Sequence, residues 1–280
     1  MEKIKWILNQ MPKNEDKNLA VMALDNVNQA RKFHRSFPQY SVTPLAKLDG
    51  MAGQLGLGGL FVKDESYRFG LNAFKVLGGS FAMAKYIAKE MGKDVSEMTY
   101  DYLTSKKFRD DFGQATFFTA TDGNHGRGVA WAANKLGQKA VVHMPKGSTQ
   151  TRFDNIAKEG ASVTIEELNY DDCVRLAAKE AAETPHGVIV QDTAWDGYEE
   201  IPSWIMQGYG SMAGEAAEHA LMASATASIT SLTISLWIPA CCFIAAIIPR
   251  LISSMDKPLR CVFSRIFSFK SVSSSSSRST

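Results

Sequence analysis

The sequence has few cysteines, and most of them lie near its C-terminal end. Cys173 is the only cysteine before residue 241, so the first 240 residues cannot form an internal disulfide. Residues 1–18 mix charged and amide side chains with a few apolar ones, without an uninterrupted apolar run. Such a start does not fit a secretory signal peptide. Together with the scarcity of cysteine, it predicts a cytoplasmic protein.

Asp, Glu, Lys and Arg are absent from 31 consecutive positions, residues 219–249. Residues 250–280 then carry six basic residues and one acidic residue and end in a Ser-rich stretch. Three interpretations stay open: a membrane-spanning helix, a buried helical hairpin, or sequence from a shifted reading frame. The abrupt change of composition near residue 221, with Pro239 and Pro249 inside the uncharged run, favours the shifted frame and makes a membrane helix the weaker interpretation.

The remaining composition is that of an ordinary globular protein. The chain has 280 residues, of which 45% are hydrophobic and 21% are charged, with a formal net charge of +2. This length allows one large α/β domain or two small ones. No cluster of Cys and His has the spacing of metal ligands, and no interleaving of basic and aromatic residues indicates nucleic acid. Cys173 lies in an amphipathic helical pattern, which indicates core packing.

Short β-rich runs alternate with helical stretches between residues 43 and 220, and several helices begin after a cap such as Ser148 or Asn169. The predicted strands are Gly59–Asp64, Ala115–Thr121, Ala140–Met144, Ser162–Ile165 and Gly187–Gln191. The predicted helices are Lys75–Glu90, Gly126–Leu136, Thr149–Glu159, Tyr170–Glu183 and Glu200–Leu221. This rhythm predicts an α/β fold with parallel strands buried on both faces and ligands bound beyond their carboxyl ends.

Residues 62–79 (VKDESYRFGLNAFKVLGG) place a lysine at the junction between a polar loop and a helix. Most lysines at helix starts are solvated surface charges. Here Phe74, Val76 and Leu77 are expected to surround Lys75 and to desolvate its ammonium partly. Desolvation would favour the neutral amine, which can form a Schiff base.

Residues 119–128 (TATDGNHGRG) form a second candidate loop, which directly follows a predicted strand. Gly123, Gly126 and Gly128 allow the backbone to approach a ligand closely at the start of a helix. Taken alone, the loop is weak evidence, because many α/β loops are rich in glycine.

Together the two loops resemble those of fold type II pyridoxal-phosphate enzymes. The lysine loop of that family has the pattern K-x-E…G-S-F-K-x-R-G, and this chain matches it at Lys63, Glu65, Gly70, Phe74 and Lys75. The chain departs from the pattern at two places: Asn72-Ala73 stands in place of Gly-Ser, and Val76-Leu77 in place of x-Arg. The family signature S-x-G-N-H-G is similar to residues 122–126, and the family stretch G-Q-G-T…E is similar to residues 207–211 with Glu215. The resemblance implies a two-domain, parallel-sheet fold of the tryptophan synthase β-subunit-like type.

In that family the lysine binds the cofactor, so the resemblance implies that Lys75 carries pyridoxal 5'-phosphate. It also implies that Asn124 hydrogen-bonds the ring hydroxyl and that Phe74 and Gly123 lie against the cofactor. The signature loop encloses the substrate carboxylate, which places Asp122 and His125 among the substrate-binding residues. His125 is expected to serve the shape of the loop rather than to act as a catalytic acid.

The stretches NAFKVLGG, ATDGNHGRG and VQDTAW are most similar to diaminopropionate ammonia-lyases, which cleave 2,3-diaminopropionate to pyruvate and two ammonia molecules. The resemblance implies a base on each substrate face: Lys75 for the L-isomer and Asp122 for the D-isomer. Asp192 would bind the side-chain ammonium of the substrate. Alternatives stay open: Asp122 as a helix cap, Asp192 as a turn residue, and the whole chain as a serine or threonine dehydratase-like lyase or a non-catalytic membrane-associated fragment.

The resemblance also predicts the domain organisation. Residues 1–75 would open a large cofactor domain, residues 76–194 would form a small α/β domain, and residues 195–221 would return to the large domain. The large domain is expected to be incomplete, because residues 222–280 show neither a glycine-rich phosphate loop nor a recognisable contact for the pyridine nitrogen. The intact family enzyme is expected to be a homodimer that acts on a small amino acid.

Overall fold

A computed structural model of the protein describes residues 17–225, with the surroundings of side chains described for residues 20–220. The α-helices are α1 Leu24–Arg35, α2 Asp49–Gln54, α3 Lys75–Glu90, α4 Tyr100–Leu103, α5 Lys106–Phe112, α6 Asn124–Lys135, α7 Gln150–Ala157, α8 Tyr170–Glu183 and α9 Glu200–Ala225. The strands are β1 Leu45–Lys47, β2 Phe61–Lys63, β3 Thr116–Ala120, β4 Lys139–Met144, β5 Ser162–Ile165 and β6 Gly187–Ile189. Short 3-10 helices cover Lys17–Met22, Glu65–Gly70 and Val95–Glu97.

Four parallel strands form a sheet in the order β5-β4-β3-β6. Successive residues of β3 point to opposite faces, as the period of two requires. Phe117 faces the core that contains α3 and α6, whereas Phe118 faces Cys173 and Ala177 of α8. The predicted core position of Cys173 is confirmed, since its side chain is fully buried.

Helix α3 lies at the centre of the larger core and contacts α1, α6 and α9. Its residues Leu77, Phe81 and Ile87 are fully buried. The crossing with α9 is close because Gly78 has no side chain: a Cβ atom there would lie 2.6 Å from side-chain atoms of Ile205 and Tyr209. This crossing holds the first turn of α3, and therefore Lys75, against α9.

Two predicted strands differ from the expectation of burial on both faces. The run Gly59–Asp64 forms only β2, which pairs antiparallel with β1 in a separate two-stranded sheet and leaves Val62 45% exposed. Strand β5 is an edge strand with largely exposed residues. Apolar β-branched sequence alone does not distinguish an edge strand or a short hairpin from a central parallel strand.

The predicted helix caps are half right. Asn169 accepts a hydrogen bond from the Asp172 amide and caps α8 as expected. Helix α7 is capped by Thr149, whose hydroxyl accepts from the Arg152 amide, rather than by the preceding Ser148. Since Ser148 and Thr149 both have a hydroxyl that can cap a helix, the sequence could not fix the start of α7 to one residue.

The predicted α/β class with a parallel sheet is confirmed. The domain boundaries at residues 76 and 195 stay a prediction, and the uncharged run and basic tail lie outside the described residues. Within the residues described, no helix combines the length and apolar character needed to span a bilayer.

Candidate functional site

The connections of the parallel sheet diverge between β3 and β6. From β3 the chain moves outward through β4 to β5, and it then crosses back to place β6 on the other side of β3. In such sheets a crevice opens beyond the carboxyl ends of the strands at this point. Asp122 follows β3 and Asp192 follows β6, so both predicted carboxylates lie at this crevice.

Lys75 is the first residue of α3, as predicted, and the signature loop lies next to it. The contact depends on Gly128 of α6: a Cβ atom at this position would lie 2.7 Å from the backbone nitrogen of Val76 and 3.1 Å from the carbonyl carbon of Lys75. Glycine is therefore required here for the close approach of α6 to α3. This packing brings two loops that lie about 50 residues apart in sequence to one place.

The loop before Lys75 explains one departure from the family pattern. Asn72, which stands where the family has glycine, has a φ of 58°. Asparagine is among the few residues other than glycine that adopt this left-handed conformation readily. The substitution therefore preserves the backbone path that leads into Lys75.

The ammonium of Lys75 forms an ion pair with Asp192, with 2.6 Å between Nζ and Oδ2. The rings of Phe74 and Tyr209 flank it, with centroids 5.8 and 5.7 Å from Nζ. Val76 and Leu77 are buried in the core instead. The expectation that Val76 and Leu77 surround the ammonium is thus wrong, and a carboxylate lies beside it instead.

Asp192 also lies near His125, whose Nδ1 is 3.7 Å from Oδ2 of the carboxylate. The pKa of Asp192 results from opposing effects. Burial raises it, but the charges of His125 and Lys75 outweigh burial and hold the pKa below its usual value. Asp192 is therefore an ionised carboxylate inside the crevice, and not merely a turn residue.

His125 is buried and fixed by the strand beside it. Its Nε2 lies 2.8 Å from the carbonyl oxygen of Val190, a geometry in which Nε2 donates. Its Nδ1 is buried and forms no hydrogen bond with any residue that the structure describes. The hydrogen bond of Nε2 fits the predicted role of His125 in the shape of the loop. The other ring nitrogen, Nδ1, lies 3.7 Å from the carboxylate of Asp192.

Asp122 and Asn124 lie at the rim of the crevice with exposed side chains. Asp122 is 71% exposed and pairs with Arg152, with 3.1 Å between Oδ2 and Nη1. Helix α6 begins after Gly123, and no side chain caps it, so the interpretation of Asp122 as a helix cap is wrong. The structure brings Lys75, His125 and Asp192 into contact; it does not bring Asp122 into direct contact with them.

A polar network behind the crevice was not predicted. The Oε1 of Gln191 accepts from the hydroxyl of Thr119 at 2.9 Å and from the amide of Ala120 at 3.0 Å. Because an amide N–H can only donate, Nε2 of Gln191 must point the other way, where it donates to the hydroxyl of Tyr170 at 2.7 Å. Burial, followed by the charges of Asp192 and Asp122, raises the pKa of Tyr170, so Tyr170 is a neutral phenol beside both carboxylates.

A second missed feature is a buried charge cluster formed by Lys63, Glu65, Arg68 and Glu215. Arg68 Nη2 lies 2.7 Å from Glu215 and Arg68 Nε lies 2.8 Å from Glu65, while Lys63 Nζ lies 2.8 Å from Glu215. Three of these residues match the family pattern, and Arg68 joins them through its ion pairs with Glu65 and Glu215. The spacing Lys-x-Glu-x-x-Arg, which begins at the last residue of β2, is the sequence feature that could have indicated this cluster. The cluster joins the lysine loop to α9.

The comparisons with known proteins agree with this site. Residues 37–230 match the family model described as "Pyridoxal-phosphate dependent enzyme". The chain therefore belongs to the family of pyridoxal-phosphate-dependent enzymes.

Within that family the chain is similar to diaminopropionate ammonia-lyases, as the loops indicated. It is 51% identical over 219 residues to the enzyme of Salmonella typhimurium strain LT2, covering 78% of this chain and 54% of the relative. The crystal structure of the Escherichia coli enzyme in complex with D-serine matches with a TM-score of 0.69 at 44% identity, covering 76% of this chain and 52% of the other. The apo form of the Escherichia coli enzyme gives a TM-score of 0.71 at 42% identity, with 83% and 60% covered. The chain thus spans about half the length of the curated relatives it matches.

The described residues fit the lysine-bearing side of a pyridoxal phosphate site. Lys75 is 21% exposed, so its amine is sheltered yet accessible from the crevice. The buried Nδ1 of His125 has no hydrogen-bond partner among the described residues, and the exposed amide of Asn124 has capacity for a ring hydroxyl. The donors and acceptors present are therefore compatible with the cofactor that the family uses.

Proposed function

We propose that this chain carries the lysine-bearing part of an ammonia-lyase site and that its reaction is the elimination of ammonia from 2,3-diaminopropionate followed by hydrolysis, giving pyruvate and two ammonia molecules. The observation that carries the proposal is the contact of Lys75 with Asp192 at 2.6 Å, in a crevice that Asp122 also borders. The similarity to curated diaminopropionate ammonia-lyases supports the choice of substrate.

Each residue has a separate task in this proposal. Lys75 would attach pyridoxal phosphate covalently, with Phe74, Gly123 and Asn124 against its ring. The bound cofactor supplies an electron sink for the charge that develops at the substrate Cα. Once the amino group of the substrate has displaced it, Lys75 would remove the Cα proton of the L-isomer, and Asp122 would remove that of the D-isomer from the opposite face.

Asp192 would select the substrate by charge. Its carboxylate is 16% exposed and ionised, so it favours a ligand that carries a cation at the side chain. Diaminopropionate has such an ammonium, whereas serine and threonine have a neutral hydroxyl. The buried ring of His125 lies 3.7 Å from the same carboxylate and would add a second positive charge beside it when protonated.

The test is an assay of pyruvate release by the full chain supplied with pyridoxal phosphate, using D- and L-diaminopropionate, serine and threonine as separate substrates. We expect release from both diaminopropionate isomers and none from a Lys75→Ala variant. Asp122→Asn should reduce the rate with the D-isomer far more than the rate with the L-isomer. Release from serine or threonine but not from diaminopropionate would instead establish the dehydratase-like alternative. Equal, background-level release by the wild type and by Lys75→Ala would refute catalysis by this chain.

We further propose that the chain works in the cytoplasm and that the family enzyme it resembles forms homodimers. The scarcity of cysteine supports the first proposal. Analytical ultracentrifugation of the full chain tests whether it also forms a dimer, for which a mass of twice 30.7 kDa is expected.

A further inference from the structure

The backbone of residues 69–75, the segment that leads into Lys75, is strained. Phe69 and Asn72 have φ values of 51° and 58°. Asparagine adopts this left-handed conformation readily, but for a bulky aromatic residue it is an outlier. Such a conformation persists only where the surrounding structure holds it, and it is common at functional sites. The segment therefore depends on contacts that keep it in place.

Helix α6 supplies these contacts through two side chains that lie one turn apart. Trp131 packs against Phe69, with 4.9 Å between the ring centroids. Arg127 donates from Nη1 to the carbonyl oxygen of Leu71 at 3.1 Å. Because residues four positions apart share one face of a helix, both contacts come from the same side. They hold the segment on either side of Gly70, whose φ of 73° is also positive.

The guanidinium of Arg127 is itself held in one orientation. Its Nε and Nη2 lie 3.0 and 2.9 Å from Oε1 of Glu159, and the two side chains are 25% and 17% exposed. Asn134, also in α6, donates to the backbone carbonyl of Glu159 at 2.8 Å. Since the guanidinium is planar and rigid, this carboxylate directs Nη1 at the carbonyl of Leu71.

We infer that Arg127 is a positioning residue, which holds residues 69–75 against α6 and so fixes the place of the Lys75 amine. The inference rests on the proposed function, in which Lys75 attaches pyridoxal phosphate. In the part of the chain that the structure describes, the hydrogen bonds of Arg127 go to Glu159 and to Leu71. It therefore acts through the backbone and not on a reacting atom. A displacement of about 1 Å at a reacting group can cost a large factor in rate.

Hydrogen–deuterium exchange of the full chain without cofactor tests the contact itself. The amide of Leu71 donates to the carbonyl of Arg68 at 2.9 Å, so it exchanges only when the segment opens. In Arg127→Gln this exchange should be about tenfold faster, as expected when a hydrogen bond from a charged group is lost. The matched control is Arg109→Gln, which removes a 2.8 Å hydrogen bond from an exposed arginine to the carbonyl of Thr104. The control should leave the exchange of Leu71 unchanged.

The rate at which pyridoxal phosphate attaches to Lys75, trapped with borohydride and mapped by mass spectrometry, gives the functional readout. In Arg127→Gln the rate at saturating cofactor should fall about tenfold. The concentration for half saturation should stay within about twofold, because Arg127 supports the lysine and not the binding of the cofactor. A general loss of structure would change both quantities and would also expose the buried thiol of Cys173 to a thiol reagent.

Two variants of Glu159 keep the test decisive if Arg127→Gln does not fold. Glu159→Ala removes the acceptor that orients the guanidinium and should slow attachment about threefold, since this ion pair is partly exposed. Glu159→Gln retains an acceptor oxygen and should slow attachment less. Equal attachment rates in the wild type and in Glu159→Ala would then overturn the inference.

The inference also fails if folded Arg127→Gln exchanges the Leu71 amide at the wild-type rate, or if it attaches the cofactor at the wild-type rate. Failure of the proposed function has a different signature, because it is visible in the wild type. A wild type that attaches the cofactor at Lys75 but releases no pyruvate loses the lyase assignment and leaves the inference intact. A wild type that attaches no cofactor at Lys75 refutes the role of this lysine and the inference with it.

Discussion

Arg68 and Glu215 form a buried ion pair across 147 positions of sequence, with 2.7 Å between Nη2 and Oε2. Burial alone would raise the pKa of Glu215, but the contacts with Arg68, Lys63 and Tyr40 outweigh it and lower the pKa to about 2. The pair connects the loop that leads to Lys75 with helix α9. Its integrity therefore bears on both stability and the site.

Glu215→Gln should strongly destabilise the chain. The substitution leaves Arg68 and Lys63 buried with only Glu65 to balance them, and breaking a buried pair in this way costs about 3–5 kcal/mol. Urea denaturation followed by circular dichroism measures the free energy of unfolding. Glu200→Gln, which removes an exposed pair, is the control and should cost less than about 1 kcal/mol. A loss of the same small size in both variants would show that the buried cluster does not stabilise the fold.

The stability of the chain should fall as the pH drops below 6.5. His34 is fully buried, with Nε2 3.0 Å from the carbonyl of Leu77 and Nδ1 2.7 Å from the hydroxyl of Ser211. Burial lowers the pKa of His34 to about 3 from 6.5. Between these values the unfolded chain binds a proton here and the folded chain does not, so stability is lost as the pH falls.

The expected loss from His34 between pH 6.5 and 5 is about 2 kcal/mol. Glu215 adds a further loss of stability only below about pH 4.5, the ordinary pKa of its side chain, because the unfolded chain then binds a proton that the folded chain does not. Unfolding free energies at pH 6.5 and 5 should therefore differ less in His34→Gln than in the wild type. An identical pH dependence in both proteins would rule out His34 as the cause.

The close approach of α6 to α3 should be sensitive to a single methyl group. Gly128→Ala places a Cβ atom 2.7 Å from the Val76 backbone, and relieving this overlap should cost about 1–3 kcal/mol and shift Lys75. Gly53→Ala in α2 is the control, because a Cβ atom at Gly53 would have no atom within 4 Å apart from its chain neighbours and the backbone of its own helix. Thermal melting of both variants makes the comparison, and equal melting temperatures would contradict the packing described.

The sequence predicted which loops lie together better than it predicted the strands. Lys75, the signature loop and Asp192 were found because their chemistry is carried by local motifs on either side of regular elements. Arg68 and Gln191 were missed because their partners come from distant segments, and no local pattern records which buried polar groups will meet. The edge position of β5 was missed for the same reason, since neighbours in a sheet are not encoded in the strand itself.

The shifted-frame interpretation of residues 222–280 is a separate prediction, and translating the gene in its other reading frames tests it. We expect one alternative reading frame downstream of codon 221 to encode a glycine-rich loop after a β-branched run, followed by an α/β pattern. Two alternative frames that both close quickly with stop codons would contradict the shifted-frame interpretation.

The central claim is that Lys75 is the lysine that binds the cofactor. Incubating the full chain with pyridoxal phosphate, reducing with borohydride and mapping the modified peptide by mass spectrometry tests it directly. The account predicts one predominant modification, at Lys75, which disappears in Lys75→Ala while Lys89→Ala leaves it unchanged. Modification spread over exposed lysines, with no preference for Lys75, would contradict the claim.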